Sequence, residues 1–324
     1  MHQLKAFYLT VFLVIFTRLT WAADSASATK AWEVVLPHSF AGQPQPKFDR
    51  GWFLVRDIDF SLMSIYDTSD KLVRRSHFSI PGATQNSIAD IAASPGGGLI
   101  VAGGAITSEG QVANFLAWLS PAGVVQRVVR VSPFIPLRIC AATDGSVWAA
   151  GKQADAERWR EVQNHDVLRR FDPDGRLTNS LLPRGLFGVS DHPAHGRSTL
   201  SCGPNQIGFF SIRANEWIEV SSGGELLGRW KGPGLGQEAK TSGIGMTADG
   251  TVYATAYSVL RPGSANPGAS LFRLEKSSGR WLPVSFGAVL GPDLSSHYAE
   301  IIGTDGANLV MASALPVFMA VRVE

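Results

Sequence analysis

Two stretches of the sequence gather side chains able to ligate an ion or grip a partner. Asp191-His192-Pro193-Ala194-His195-Gly196-Arg197 places two imidazoles, a carboxylate and a guanidinium within seven residues. Two imidazoles near a carboxylate are a donor set for zinc or copper, although this spacing fixes no further ligand. Arg158-Trp159-Arg160-Glu161, followed by His165, is the longest charged and aromatic insertion. Trp and Arg are enriched where binding energy concentrates. The competing reading is a solvated loop whose Trp packs on the strands beneath it. The two cysteines, Cys140 and Cys202, allow a disulfide, but the reading favoured from their positions is a pair of small buried thiols. No Gly-x-Ser-x-Gly elbow, His-Glu-x-x-His pair or Gly-rich phosphate loop is present, which points away from nucleophilic catalysis.

Something must hold these side chains in place, and the rest of the sequence reads as short strands and tight turns. Asp-Gly recurs at Asp144-Gly145, Asp174-Gly175, Asp249-Gly250 and Asp305-Gly306, flanked by strand-forming residues. Such dipeptides favour two-residue type I′ hairpins, whose central residues need positive φ. Between Leu137 and Leu182 the order is strand, turn, strand, strand, turn, strand. Four antiparallel strands of this kind make one propeller blade. The second turn of each copy falls near residues 70, 122, 174, 223 and 278, a period close to 50. That period predicts an all-β chain forming a single β-propeller, with six four-stranded blades favoured over five. The last copy lacks a fourth strand, and the apolar run Trp32 to Leu36 has nothing local to pair with. Pairing of the N- and C-terminal strands would therefore close the ring.

Residues 1–22 read as a signal peptide, with Lys5 before the apolar run Ala6 to Phe16 and a small-residue exit at Ala22-Ala23. The run is shorter than a membrane span and Arg18 interrupts it, so no stable membrane insertion is expected after cleavage. The propeller domain then covers residues 30–324, in a periplasmic or secreted location. A net charge of +2 with 17% charged residues, scattered along the chain, excludes a nucleic-acid footprint.

In a propeller the turns within strand pairs one–two and three–four share one face, and here these are all short. The opposite face receives the long segments Gly104 to Asn114, Lys152 to His165, Pro183 to Ser198, Lys231 to Ser242, Ser258 to Ala269 and Phe286 to His297. Elaborated loops on a rigid ring are where binding residues concentrate. Arg158, Trp159, His165, His192, His195 and Arg197 fall on this face, with Arg138 on a first strand that lines the channel. Counted from the turns, Glu300 stands where other copies have Ile139, Leu200 and Ile244. A carboxylate near the channel is costly to bury unless paired or bound to a cation. An ion pair of Glu300 or Asp90 with Arg138 is the favoured arrangement.

The pattern Phe171-Asp172-Pro173-Asp174-Gly175, preceded by Thr143-Asp144-Gly145-Ser146-Val147-Trp148, resembles blades of NHL-type and SMP-30-like (TolB-like) six-bladed propellers. Such families include enzymes, receptors and scaffolds, so the resemblance implies a fold more than an activity. Lactonase-like members hold calcium through Glu, Asn and Asp at the channel mouth, and the resemblance would assign those parts to Glu300, Asn86 and Asp90. The departure is that Arg138, Thr199 and Gly243 occupy the other matching positions. The expectation is a non-enzymatic binding module whose loop-rich face takes an extracytoplasmic protein, peptide or saccharide, without a cofactor. The alternative is a calcium- or zinc-dependent propeller hydrolase.

Overall fold

In the computed structural model the described residues are 26–36, 46–57, 61–69, 71–155, 160–234, 239–258, 269–286, 289, 299–313 and 317–324. The proposed signal at 1–22, together with Arg158 and Trp159, lies outside them. Runs of β-branched and apolar residues interrupted by Gly-containing turns form 24 strands among these residues. Strand β1, Ala28–Val35, comes first. Then follow β2 to β5 (Lys47–Asp49, Trp52–Arg56, Leu62–Tyr66, Leu72–His77) and β6 to β9 (Ala83–Ala93, Leu99–Thr107, Val112–Leu119, Val125–Arg130). Next are β10 to β13 (Phe134–Ala141, Val147–Gln153, Asp166–Phe171, Leu177–Pro183) and β14 to β17 (Thr199–Cys202, Gln206–Ser211, Glu216–Ser221, Leu226–Lys231). The last are β18 to β21 (Ala239–Met246, Val252–Ser258, Ala269–Glu275, Arg280–Val284) and β22 to β24 (Ala299–Asp305, Asn308–Ser313, Val317–Val323).

Four sets are four-stranded meanders, and an eight-stranded sheet in the order β1-β24-β23-β22-β2-β3-β4-β5 joins the two remaining sets through one parallel bridge, Phe48 to Gly303. The strands thus fall into six sets of four. The N-terminal strand pairs antiparallel with β24, from Ala28 opposite Val323 to Val35 opposite Val317, and completes the last set. The pairing foreseen for Trp32 to Leu36 occurs, four residues longer at its start and ending one earlier.

The innermost strands follow one another around an axis: β2 touches β6, β6 touches β10, and so on through β14, β18 and β22 back to β2. Six buried apolar clusters fill the gaps between neighbouring sets. One joins Trp148 and Leu168 to Leu200 and Phe209, and another joins Phe48 and Phe53 to Val310 and Phe318 across the closure. Each set therefore buries both faces against its neighbours, as propeller blades do. No helix among the described residues is long and apolar enough to cross a membrane.

The recurrent turns are real hairpins, but of a different type from the one expected. At Ala142-Thr143-Asp144-Gly145 the Gly145 amide donates to the Ala142 carbonyl, and Ala142 N–H donates to the Ser146 carbonyl. Only Gly145 has positive φ, at 81°. This is a type I turn closed by a left-handed glycine, which spares Asp144 the positive φ that type I′ demands. The Asp144 carboxylate instead accepts the Ser146 amide at 2.9 Å and the Ser146 hydroxyl at 2.6 Å. A second difference concerns Gly104 to Asn114, expected as a loop: β7 and β8 extend through most of it as a paired hairpin.

Candidate functional site

The innermost strands, with the end of β3 and the loop before β14, bring seven charged side chains to one axial cavity of about 410 Å³. Its wall includes Lys47, Asp49, Arg56, Asp90, Arg138, Arg197 and Glu300. Strand direction sorts them along the axis. Gly196 to Ser198 lead into β14 from the loop-rich face, whereas Cys202 and Met246 sit at the turn ends of β14 and β18.

Both channel carboxylates singled out by sequence are on this wall, and each is engaged by a cation from another part of the ring. Glu300, buried on β22, accepts from Arg197 Nη1 at 2.9 Å. Asp90 lies 3.4 Å from Lys47 Nζ and accepts the Ile139 amide at 2.7 Å. Lys47 also donates to the Ile139 carbonyl, so β2, β6 and β10 are tied together here. The pairing principle holds while the expected partner does not. Arg138 turns its guanidinium to backbone instead, donating to the carbonyls of Ser198 at 2.7 Å and Leu137 at 2.6 Å, and to that of Gly196. Asn86, on β6, is not among the residues lining the cavity, so it does not join Glu300 and Asp90 there.

The turn-based alignment of Glu300 with Ile139 and Ile244 also fails, because the strands bulge at different places. In β10 and β18 the register shifts before the aligned residue, at Pro136/Arg138 and Thr241/Gly243. In β22 it shifts after it, at Ile301/Gly303. One inserted residue exchanges the two faces of a strand.

Three wall residues were missed from sequence. Lys47 and Asp49 lie on β2, which is three residues long and too short for a periodic signal. Arg56 ends β3 and donates to the Ile88 carbonyl at 2.7 Å. Burial pushes the Asp49 carboxyl above the ordinary carboxylate value, against Lys47, the Ala93 amide and Arg50. Burial also lowers Arg56, and the neighbouring Arg138 charge adds to the effect.

Cys140 and Cys202 are bridged, with Cα atoms 5.6 Å apart, which corrects the reading of two separate thiols. They stand on adjacent innermost strands, and their opposite phase turns the sulfurs towards each other. Both line the cavity.

The histidines gather elsewhere, between the β11–β12 and β13–β14 connections. His165 Nε2 is 3.3 Å from His192 Nε2, and the two rings, with planes 11° apart and centroids 5.5 Å apart, face each other through these atoms. The Glu161 carboxylate lies 3.8 Å from His192 Nε2, and the His195 ring centroid is 5.6 Å from that of His192. Arg184, buried in a 3₁₀ turn (Arg184–Phe187), donates to Glu161 at 3.0 Å and to the carbonyls of Val189, Ser190 and Asp191. Burial first, then the His165 and His195 rings, push the His192 imidazole down to about 3. Burial likewise lowers His195, with Lys152 next in importance. Thus Arg197 and Arg138 belong to the cavity, while His165 and His192 form a separate, drier cluster.

No protein-family model and no curated protein matches the sequence. Among solved structures, a DUF4221-family member from Bacteroides vulgatus is similar with a TM-score of 0.53 at 9% identity, over 93% of this chain and 99% of that one. A Bacteroides fragilis protein described as exported gives 0.53 at 9% identity, over 92% and 95% of the two chains. The β-propeller domain of the Trilobed protease from Pyrococcus furiosus gives 0.46 at 8% identity, over 70% and 64%. At these identities the likeness concerns the fold alone, and the propeller assignment stands on the chain's own strand order and ring closure.

Proposed function

We propose that this chain is an extracytoplasmic β-propeller, of the NHL or SMP-30-like kind, that binds a small carboxylate-bearing saccharide in its axial cavity from the loop-rich face. The observation that carries this reading is the charge arrangement of the cavity wall. Four cations, Lys47, Arg56, Arg138 and Arg197, face three carboxylates, Asp49, Asp90 and Glu300. Asp90 and Glu300 each already have a cation, and burial favours the neutral form of Asp49. Arg138 uses three N–H groups on carbonyls, leaving two of its five donors for a ligand oxygen among the described residues. A guanidinium held rigidly by backbone is pre-organised for a carboxylate. The volume lies within the range of small-ligand sites, which is roughly 300–1,000 Å³.

The signal-like residues 1–22, the Cys140–Cys202 bridge and the structural neighbour described as exported support a location outside the cytoplasm. The rival reading, a hydrolytic cation held by Glu300 and Asp90, requires that ion to displace both Arg197 and Lys47. Calorimetric titration with uronic-acid oligosaccharides and their neutral counterparts separates the outcomes. The acidic sugars should bind, weaken as salt rises, and lose roughly tenfold or more in affinity with Arg138→Gln, the scale of a lost charged hydrogen bond. Equal binding of neutral sugars, or full affinity in Arg138→Gln, would contradict the proposal.

A further inference from the structure

We propose that Glu161, His165 and His192 together hold one divalent transition-metal ion of the zinc class, tying the β11–β12 connection to the β13–β14 connection. The three ligand atoms lie within 4.8 Å of one another. A tetrahedral ion with metal–nitrogen bonds of about 2.0–2.1 Å places two ligand nitrogens about 3.3–3.4 Å apart. The two Nε2 atoms are 3.3 Å apart. The Glu161 oxygen, 3.8 Å from His192 Nε2, needs a shift of a few tenths of an ångström. Two imidazoles and one carboxylate favour zinc, copper or nickel over calcium or magnesium.

The surroundings orient these groups. His165 Nδ1 meets the Val162 carbonyl, so the proton sits on Nδ1 and the Nε2 lone pair faces His192 Nε2. Arg184 fixes the Glu161 carboxylate and also clamps the Val189, Ser190 and Asp191 carbonyls, which lead directly into His192. One buried side chain thus holds both connections that carry ligands. Without metal, His192 accepts the Ala194 amide at Nδ1, and its proton lies on Nε2, directed at His165. Metal entry replaces that proton, which moves to Nδ1 as the Ala194 bond is given up. The ion therefore takes the place of the hydrogen bond that now joins the two rings, and both rings tilt so that their Nε2 lone pairs meet about 1.2 Å to the side of the present Nε2–Nε2 line. Arg184 and Lys152 oppose a dication here, which makes the Glu161 charge essential to the site.

The test uses the full mature chain, stripped with a chelator and titrated with cobalt(II), then with zinc. Binding of one cobalt per chain with the strong visible bands of four-coordinate cobalt, lost on adding zinc, is the expected result. Glu161→Gln keeps an acceptor for Arg184 and sits at the partly exposed edge, so it should fold while binding cobalt at least roughly tenfold more weakly. His165→Gln should abolish the bands. If that buried variant fails to fold, Glu161→Gln alone decides. Glu300→Gln should leave the bands unchanged, which separates this site from the cavity. Absence of the bands in the wild-type chain, or wild-type affinity in folded Glu161→Gln, would overturn the proposal.

Discussion

The axial cavity and the histidine cluster solve the same problem, polar chemistry inside a closed ring, in opposite ways. In the cavity Glu300 and Asp90 are each matched by a cation from a different part of the ring: Arg197 from the loop before β14 reaches Glu300 on β22, and Lys47 on β2 reaches Asp90 on β6. In the cluster the groups are mostly neutral rings on two connections, arranged around one carboxylate and clamped by Arg184. Charged pairs tolerate a wetted axis, whereas a side chain as buried as His192 must stay neutral. The cavity thus keeps charged groups as facing pairs, and the cluster keeps uncharged rings away from solvent.

The largest expected effect comes from cutting the covalent tie in the cavity wall. The Cys140–Cys202 bridge closes a sequence separation of 62 residues. In the chain-entropy account such a loop stabilises by about 4 kcal/mol. The double Cys140→Ser, Cys202→Ser variant should therefore unfold at much lower urea and lose cavity ligand, while cobalt binding at the histidine cluster survives in the folded fraction. Loss of both sites in parallel would show that the two regions are not independent.

The next effect tests whether cavity charges are matched pairwise. Removing one partner of a buried pair strands the other charge. Because Arg197 is about half exposed, the cost of Arg197→Ala is discounted to about 1–2 kcal/mol. Adding Glu300→Gln to that variant should recover most of the loss, as read by a double-mutant cycle in urea. Simple additivity of the two changes would deny the coupling.

Smallest is the effect at Asp49. The folded state holds its proton more tightly than the unfolded chain, whose carboxyl titrates near 3.8. That contribution is complete below the unfolded value and lost as pH rises through the raised folded one. Asp49→Asn stays neutral and retains an acceptor for the Ala93 amide, so it should gain stability relative to wild type between pH 4 and pH 7. A relative loss over that interval, in urea midpoints, would mean that Lys47 holds the carboxylate charged.

Much of the ring was legible because its signals are local. Glycine turns and the unpaired strand around Trp32 depend on a few neighbouring residues, and they located the strands and the closure. The sites were less legible because they depend on contacts across the ring. His165 and His192 were singled out separately, 27 residues apart, and only the packing of two connections brings their Nε2 atoms together. Strand β2 is too short to show a period, so Lys47 and Asp49 stayed unseen. Glu300 was noticed for a reason that bulge positions undo, since a count from the turn ignores an inserted residue. The disulfide depended on which way two opposite-facing strands turn towards each other, which spacing alone leaves open.

Whether the axial cavity is the ligand site is decided by a crystal structure of the chain with an acidic oligosaccharide bound. The sugar carboxylate should lie within hydrogen-bond distance of the Arg138 guanidinium, with the Arg197–Glu300 and Lys47–Asp90 pairs at its sides. A ligand seated on the outer strands or the turn face, with the cavity unchanged, would contradict that placement.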